Sequence, residues 1–289
     1  MASSPALPDD DAGPRRSDRV HALATGLAVL RAFTPDAPTL TVSEAAEAAD
    51  VTRATARRAL LTLVHEGYAV QQDRRFELTP RVLELGHGYW SGRSRSEILR
   101  PVLTRASQRL GQSCSAGVLH GAHLMYIARV HTERILRVNL DVGTRLPAFT
   151  TSMGRVLLAD LDPDEARALL TGSPRTPATH HTRTDVDALL AELDAVREQG
   201  HAVVAAELDA HLTSVAVPVR DPDGRVRTAV NTAVPLAPAA PAGAPRRRRG
   251  AGPVPATTTP ESAAAVAASL PVLRQAADDA EAAFEALQR

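Results

Sequence analysis

The chain has no lysine, one cysteine and few aromatic residues, which make up 3% of its composition. With a single thiol, Cys114, it cannot build an intramolecular disulfide framework, and we expect it in a reducing cytoplasm. No stretch approaches the roughly 20 apolar residues of a membrane-spanning helix, so we expect no membrane contact. Residues 1–17 place acids and prolines before any apolar run, which excludes a secretory signal and predicts a disordered tail. At 289 residues the chain is long enough for two domains.

A helix-turn-helix pattern occupies the segment after residue 40. Thr41 and Glu44 have the spacing of a capping box, which predicts the start of a short helix. Asp50 tolerates the left-handed backbone of a tight turn. Thr52 is a second N-cap, and it opens a longer helix that Gly67 can close. Two helices joined by a short turn, with arginines on the second, are typical of a helix-turn-helix.

A wing is predicted directly after this pair of helices. Tyr68–Val70 and Arg75–Leu78 are strand-like runs on either side of a polar hairpin tip that carries Arg74. From Thr52 to Arg81 there are six arginines and three acids, a local charge of +3 in a chain with no net charge. Such a focused basic surface suits a nucleic acid. The alternative is that these arginines only form a solvated face, since the outline recurs in many small helical domains.

We therefore predict that residues 18–79 form a winged helix-turn-helix domain that binds double-stranded DNA. An upstream helix over Arg19–Phe33 should pack on it through one apolar stripe, formed by Val20, Leu23, Leu27 and Leu30. The candidate DNA contacts lie on the two helices and the wing: Thr41, Ser43, Thr52, Arg53, Thr55, Arg57, Arg58, Arg74 and Arg75. Arg74 or Arg75 would contact phosphate.

The remainder of the chain alternates strands and helices in blocks. Thr79-Pro80 starts a connector helix over residues 80–95. Residues 96–289 then carry strand-like runs, a block of helices and strands again, which predicts an α+β domain with an antiparallel sheet. The expected strands are Ser113–Leu119, Leu124–Val130, Arg134–Leu140, His201–Ala206, Leu212–Arg220 and Arg225–Val234. A Pro/Ala/Gly-rich disordered insertion is expected at residues 236–260, followed by a final helix. Within the insertion, Arg246–Arg249 could attract phosphate but is more typical of a solvated run.

Five segments carry a family resemblance over about residues 19–234. They are TRATARRALLTLVHEGY (Thr52–Tyr68), FELTPRVLELG (Phe76–Gly86), GTRLPAFTTSMGRVLLA (Gly143–Ala159), REQGHAVVAAEL (Arg197–Leu208) and SVAVPVRDPDGRV (Ser214–Val226). In these the chain resembles the IclR family of bacterial transcription regulators, and within it the protocatechuate and β-ketoadipate pathway branch. The resemblance implies a winged helix-turn-helix joined by a linker helix to a GAF-like effector-binding domain. It also implies a homodimer that associates further into a tetramer, a near-palindromic operator, a small organic acid effector and no cofactor.

The effector pocket is expected around Thr150–Arg155. Ser152 can cap a helix there, the open N–H groups of a helix N-terminus suit a carboxylate, and Gly154 would let a ligand approach the backbone. In the alternative reading Ser152 is only a cap and Arg155 pairs with a nearby acid. The candidate effector residues are Thr150, Thr151, Ser152, Met153, Gly154, Arg155, Glu207, His211, Ser214 and Asn231.

Three positions depart from the pattern that the resemblance implies. Ala205 replaces an acid, His211 a glycine and Thr213 an arginine. His211 could fill or reshape the pocket, and this leaves the identity of the effector open between an aromatic acid and a β-ketoadipate-type acid.

Two other classes of function remain as alternatives. An enzyme is disfavoured because Ser152 lies outside a G-x-S-x-G motif. His180-His181 and His120-x-x-His123 lack the spacing of strong metal sites, so we expect no metal. An architectural DNA-binding protein without an effector would not need a second domain of this size.

Overall fold

The computed structural model describes residues 20–86, 95–132, 140–236 and 260–288. The chain divides into two compact units, Met1–Ser91 and Gly92–Arg289. The predicted tail, most of the predicted insertion and the predicted strand Arg134–Leu140, apart from its last residue, lie outside the described residues. So does the second half of the predicted connector, whose start is a 3₁₀ turn at Pro80–Leu83 capped by the Thr79 hydroxyl. No described helix is long and apolar enough to cross a membrane.

The first unit is a winged helix-turn-helix. Its three strands pair antiparallel in the order β1-β3-β2. The first strand was not predicted, because three residues are too few to show alternation in the sequence. The elements are α1 (His21–Arg31), β1 (Thr39–Thr41), α2 (Val42–Ala48), α3 (Arg53–His65), β2 (Ala69–Gln72) and β3 (Arg75–Leu78).

The predicted local signals around the two central helices are confirmed. The Thr41 N–H donates to Glu44 Oε2 at 2.7 Å, and the Glu44 N–H donates to Thr41 Oγ1 at 3.3 Å. Asp50 has φ 50° in the turn, and Gly67 has φ 78° just beyond α3. Thr52 caps α3, because its hydroxyl accepts from the Thr55 N–H. These caps satisfy backbone donors that a helix N-terminus leaves open.

The predicted packing face of α1 is wrong. The buried residues are Thr25 and Val29 on the helix and Ala32, the residue directly after the helix. Val20, Leu23 and Leu27, which were expected to pack there, have 65%, 63% and 47% of their surface exposed. The helix has apolar residues on two faces. Helical periodicity fits both faces, and the prediction chose the one with the larger side chains as the packing face. The first unit therefore presents an apolar face that no described residue covers, formed by Leu23 and Leu27 of α1 and by Val20, the residue before the helix; we call it the uncovered face of α1.

The second unit is an α+β domain, as predicted. Six antiparallel strands form one sheet in the order β6-β5-β4-β9-β8-β7. The elements are α4 (Arg95–Leu110), β4 (Cys114–His120), β5 (His123–Val130), β6 (Arg145–Pro147), α5 (Ser152–Ala159), α6 (Pro163–Thr171), α7 (Val186–Gln199), β7 (Ala202–Ala205), β8 (Leu212–Arg220), β9 (Val226–Pro235) and α8 (Pro260–Gln288).

Helices cover both faces of this sheet. One core joins α5, α6 and α7 to the face that carries Leu124, Ala216 and Ala229. The other joins α4 and α8 to the face that carries Ile127, Val215 and Val230. Side chains of neighbouring strand residues therefore enter different cores, as the pleat of a strand requires.

Candidate functional site

Three arginines on α3 form an exposed basic surface. The side chains of Arg53, Arg57 and Arg58 are exposed, and none of them bonds to another residue in the part of the chain that the structure describes. The opposite side of the helix is buried through Ala56 and Leu60. Arginine can bond guanine or phosphate with two parallel hydrogen bonds, so these side chains are free to do so.

The threonines and the serine among the predicted DNA contacts lie near the helix starts. Thr41 and Thr52 use their hydroxyls as caps. The Thr52 hydroxyl also donates to Thr55 Oγ1 at 2.9 Å. Ser43 is exposed in the first turn of α2. The threonine hydroxyls therefore organise the helix starts in the free protein.

The two arginines of the wing differ. Arg74 lies exposed at a tight turn with Asp73, whose φ is 53°. The Arg75 guanidinium instead donates to Thr39 Oγ1 at 2.9 Å and to the Thr39 carbonyl at 3.0 Å, and it lies 3.4 Å from Glu44 Oε2. Arg75 thus joins the wing to β1 and α2, which leaves Arg74 as the wing residue available to phosphate.

A pocket lies on the sheet face that packs against α5. Its empty volume is about 650 Å³, part of it open to solvent. It is lined by Ser113, Ser115, Tyr126, Arg129, Leu140, Thr150, Thr151, Val204, Glu207, Leu208, Asp209, Leu212, Ser214, Asn231 and Ala233.

A row of polar side chains crosses the pocket floor. Ser115 is the register partner of Arg129 on one neighbouring strand and of Asn231 on the other. Directly paired residues present their side chains on the same sheet face, roughly 5 Å apart. Arg129 accordingly donates to Ser115 Oγ at 2.9 Å. The Asn231 carboxamide makes no hydrogen bond to any described residue. The row thus offers a guanidinium, a hydroxyl and an amide side by side.

Arg129 is the notable charge of this row. Burial lowers the pKa of its guanidinium, although nearby Tyr126, Asp141 and Cys114 act in the opposite direction. An arginine remains a cation even so. Within the described ranges it has no ion-pair partner; its Nε donates to His131 Nδ1 at 3.4 Å. Its guanidinium lies 6.0 Å from the centre of the Tyr126 ring. Burial also raises the pKa of Tyr126 to about 12, so that phenol is neutral at physiological pH.

Arg155, predicted to contact an effector, is an internal residue instead. It is 1% exposed, and its Nε donates to the Phe149 carbonyl at 2.8 Å. One terminal nitrogen bonds Glu192, and the other bonds Glu207 Oε2 at 2.6 Å. Arg183, whose side chain is 39% exposed, also bonds Glu192, so a group of two arginines and two glutamates runs from buried Arg155 and Glu207 to the surface. The alternative reading of Arg155, a pair with nearby acids, is correct.

The expected ligand contacts at Ser152 and Gly154 need a similar correction. Thr151, not Ser152, caps α5: its Oγ1 accepts from the Gly154 N–H at 3.0 Å. Ser152 is the first helical residue, fully buried, and its hydroxyl is without a partner among the described atoms. A Cβ added to Gly154 would lie 2.1 Å from the Ala148 carbonyl oxygen. Glycine is therefore required by the preceding backbone turn rather than by a ligand.

The predicted effector residues divide into two groups. Thr150, Thr151, Glu207, Ser214 and Asn231 line the pocket, whereas Ser152, Met153, Gly154, Arg155 and His211 do not. His211 is exposed, so it does not fill the pocket as expected; its N–H donates to Asp209 Oδ1 at 2.8 Å.

Sequence reasoning missed Arg129, Ser115, Tyr126 and Asp209. The available signal was a charged residue inside the apolar run LMYIARV of β5. A buried strand does not normally carry an arginine without a partner. No group of three or more potential metal ligands occurs among the residues that the structure describes.

An exposed arginine face beside a wing, and a separate domain whose pocket has a row of polar side chains on its floor, define a DNA-binding regulator with a small-molecule domain. Residues 22–73 match the IclR helix-turn-helix domain, and residues 89–240 match the C-terminal domain of the bacterial transcriptional regulator IclR. The chain belongs to the IclR family of transcriptional regulators. It is a regulator and not an enzyme, in agreement with the prediction.

Relatives of known description agree with this assignment. The chain is 40% identical over 215 residues to the Pca regulon regulatory protein of Pseudomonas putida, covering 74% of each chain. It is 34% identical to the Pca operon regulatory protein of Acinetobacter baylyi, over 76% of this chain and 81% of the relative. Among solved structures, a transcriptional regulator of Rhodococcus sp. RHA1 shares 40% identity and a TM-score of 0.74, over 93% of this chain and 100% of that one.

Proposed function

We propose that this regulator is a homodimer whose binding to a near-palindromic operator is controlled by a small organic acid, either an aromatic acid or a β-ketoadipate-type acid. The observation that carries the proposal is Arg129, a half-buried cation on the pocket floor that forms no ion pair with a described acid. Leaving a charge unpaired in a partly desolvated site is costly. A carboxylate ligand would remove that cost and gain charge-assisted hydrogen bonds.

The neighbours of Arg129 suit the same ligand group. Ser115 and Asn231 add a hydroxyl and an amide donor within one cross-strand row. Tyr126, Leu140 and Leu212 supply apolar surface to the rest of the pocket. A few convergent polar groups within largely apolar walls are typical of small-molecule sites.

The homodimer is supported by the uncovered face of α1. Contiguous apolar residues on a surface mark sites of association. A dimer would present two α3 helices to half-sites one helical turn, or a multiple of it, apart, which gives the operator its near-palindromic form. Coupling between pocket and operator binding would amount to roughly 1–3 kcal/mol.

The test is titration of the full chain onto its own upstream intergenic DNA, with and without a panel of aromatic acids and β-ketoadipate, at two salt concentrations. We expect salt-sensitive binding that exceeds binding to scrambled DNA and that one acid shifts. Arg129→Met should abolish the shift and leave operator binding intact. Specific binding that no acid shifts would favour an architectural protein without an effector. Absence of any preference for upstream DNA would contradict operator recognition there.

Arg57 tests base recognition by α3. Arg57→Ala should weaken operator binding by ~1–3 kcal/mol, because a bidentate base contact is lost, while binding to random DNA changes much less. Fluorescence anisotropy on the two duplexes measures both. The control is Arg225→Ala, which removes an exposed arginine from the second unit. Equal losses on operator and random DNA would contradict base recognition by this residue.

A further inference from the structure

We infer that the pocket selects a hydroxyaromatic monocarboxylic acid over a dicarboxylic acid. The inference rests on the proposed function, and it chooses between the two effector classes left open there. It follows from the charges and free hydrogen-bonding atoms of the pocket lining.

The described part of the lining contains three ionised side chains, Arg129, Glu207 and Asp209. Glu207 is already paired, because Arg155 and the Arg183 N–H both donate to its Oε2. Asp209 accepts from the His211 N–H and forms no ion pair with a described residue. The lining thus holds one cation that lacks a carboxylate and one carboxylate that lacks a cation. One ligand carboxylate would pair with the Arg129 guanidinium. A second ligand carboxylate would find no unpaired cation in the described lining, only the acids Glu207 and Asp209.

The cation and the free acid lie on different parts of the sheet. Arg129 belongs to β5, near one edge, whereas Asp209 follows β7, the strand at the other edge. Both nevertheless line the same pocket, because the segment after β7 that carries Glu207 and Asp209 forms part of its wall. A ligand whose carboxylate binds Arg129 therefore shares the pocket with both acids.

The wall formed by Glu207 and Asp209 is rich in acceptors. Besides the Asp209 carboxylate, the Oε1 atom of Glu207 is available, because the bonds from described residues to this carboxylate go to Oε2. A neutral phenolic hydroxyl can donate to such a carboxylate. A second carboxylate has no proton to donate at neutral pH and would be repelled by the acids. Tyr126, Leu208 and Leu212 add apolar surface to the pocket lining, and this surface suits an aromatic ring better than a polar chain.

The test compares ligands that share one ring. Isothermal titration of the full chain with benzoate, 4-hydroxybenzoate and terephthalate varies only the group opposite the carboxylate, and adipate adds an aliphatic dicarboxylate. We expect 4-hydroxybenzoate to bind ~10-fold or more tightly than benzoate, as for a hydrogen bond to a charged group. Terephthalate and adipate should bind at least ~10-fold more weakly than 4-hydroxybenzoate.

Asp209→Asn provides the decisive variant. The amide oxygen can still accept from the His211 N–H, so the local turn is kept while the charge is removed. The preference for 4-hydroxybenzoate over terephthalate should fall by ~10-fold, the loss of one charge-assisted contact together with a repulsion. The control Asp187→Asn removes an exposed carboxylate on α7 and should leave the preference unchanged.

The outcomes separate the two proposals. Tighter binding of terephthalate or adipate that Arg129→Met abolishes would overturn the selectivity and leave an acid-responsive regulator. An unchanged preference in Asp209→Asn would also overturn it. Binding of none of the four acids would overturn the selectivity together with the choice of effector class.

Discussion

Arg155 is a buried cation whose place in the fold depends on two glutamates. It lies at the centre of the second unit, 1% exposed, between Glu192 on α7 and Glu207 beside the pocket. Such a group is costly to desolvate and stable only while its partners remain. Because Glu207 also lines the pocket, this internal charge pairing keeps one wall of the ligand site in place.

Arg155→Leu should destabilise the second unit by roughly 3–5 kcal/mol, because it leaves two glutamates without their shared cation. Urea unfolding followed by circular dichroism measures the change. The control is Arg167→Leu, since Arg167 pairs with Asp187 at the surface, where both side chains are more than half exposed. We expect that control to cost less than about 1 kcal/mol. Equal losses would show that burial of the group contributes nothing.

At the scale of elements, the two arginines of the wing have different surroundings in the free protein. Arg74 extends from the turn between β2 and β3 without a bond to a described residue. Arg75, the next residue, bonds the first strand of the same sheet. Arg74 is a turn residue, whereas Arg75 is the first residue of β3 and is paired with β1, so the adjacent arginines have different surroundings.

Arg74→Ala should lower DNA affinity on all sequences and reduce the slope of log affinity against log salt by about 1, as loss of one phosphate contact requires. Arg75→Ala should leave that slope unchanged and lower the stability of the first unit by ~0.5–1.5 kcal/mol, through lost hydrogen bonds. Salt-dependent binding curves and thermal melts separate the two variants. The same reduction of the slope in both would assign Arg75 to phosphate as well.

At the scale of the whole molecule, the uncovered face of α1 is the feature that a single chain does not explain. Leu23 and Leu27 are exposed on the side of the helix opposite to buried Val29. Burying a leucine that is otherwise exposed contributes ~1.5–3 kcal/mol, so packing a second copy of the chain on this face would stabilise a dimer.

Leu27→Glu should therefore shift the protein from dimer towards monomer and weaken operator binding, because a monomer contacts one half-site. Light scattering after size exclusion measures the mass, and anisotropy measures the affinity. The matched control is Val142→Glu, a second exposed apolar residue, 43% exposed, in the other unit. A Leu27→Glu protein that remains a dimer with full operator affinity would place the dimer contact elsewhere.

Local signals were sufficient to predict the helix starts, the tight turn and the helix end of the helix-turn-helix. Thr41, Asp50, Thr52 and Gly67 each act on backbone groups within a few positions, so their roles can be predicted from spacing alone. The strand β8 was likewise predicted from its own residues, with the bounds that the structure gives, Leu212–Arg220. Periodicity was insufficient for α1, because two of its faces are apolar and the sequence does not show which one meets the core.

The pocket floor could not be predicted in this way. Arg129, Ser115 and Asn231 are far apart in the chain and meet because β5, β4 and β9 become neighbours in a particular register. Arg155 likewise turned inward because Glu192 and Glu207 reach it from other elements. Short-range chemistry therefore settles the helices, caps and turns of this regulator. Strand pairing settles the floor of its pocket, since long-range register is not encoded in any single segment.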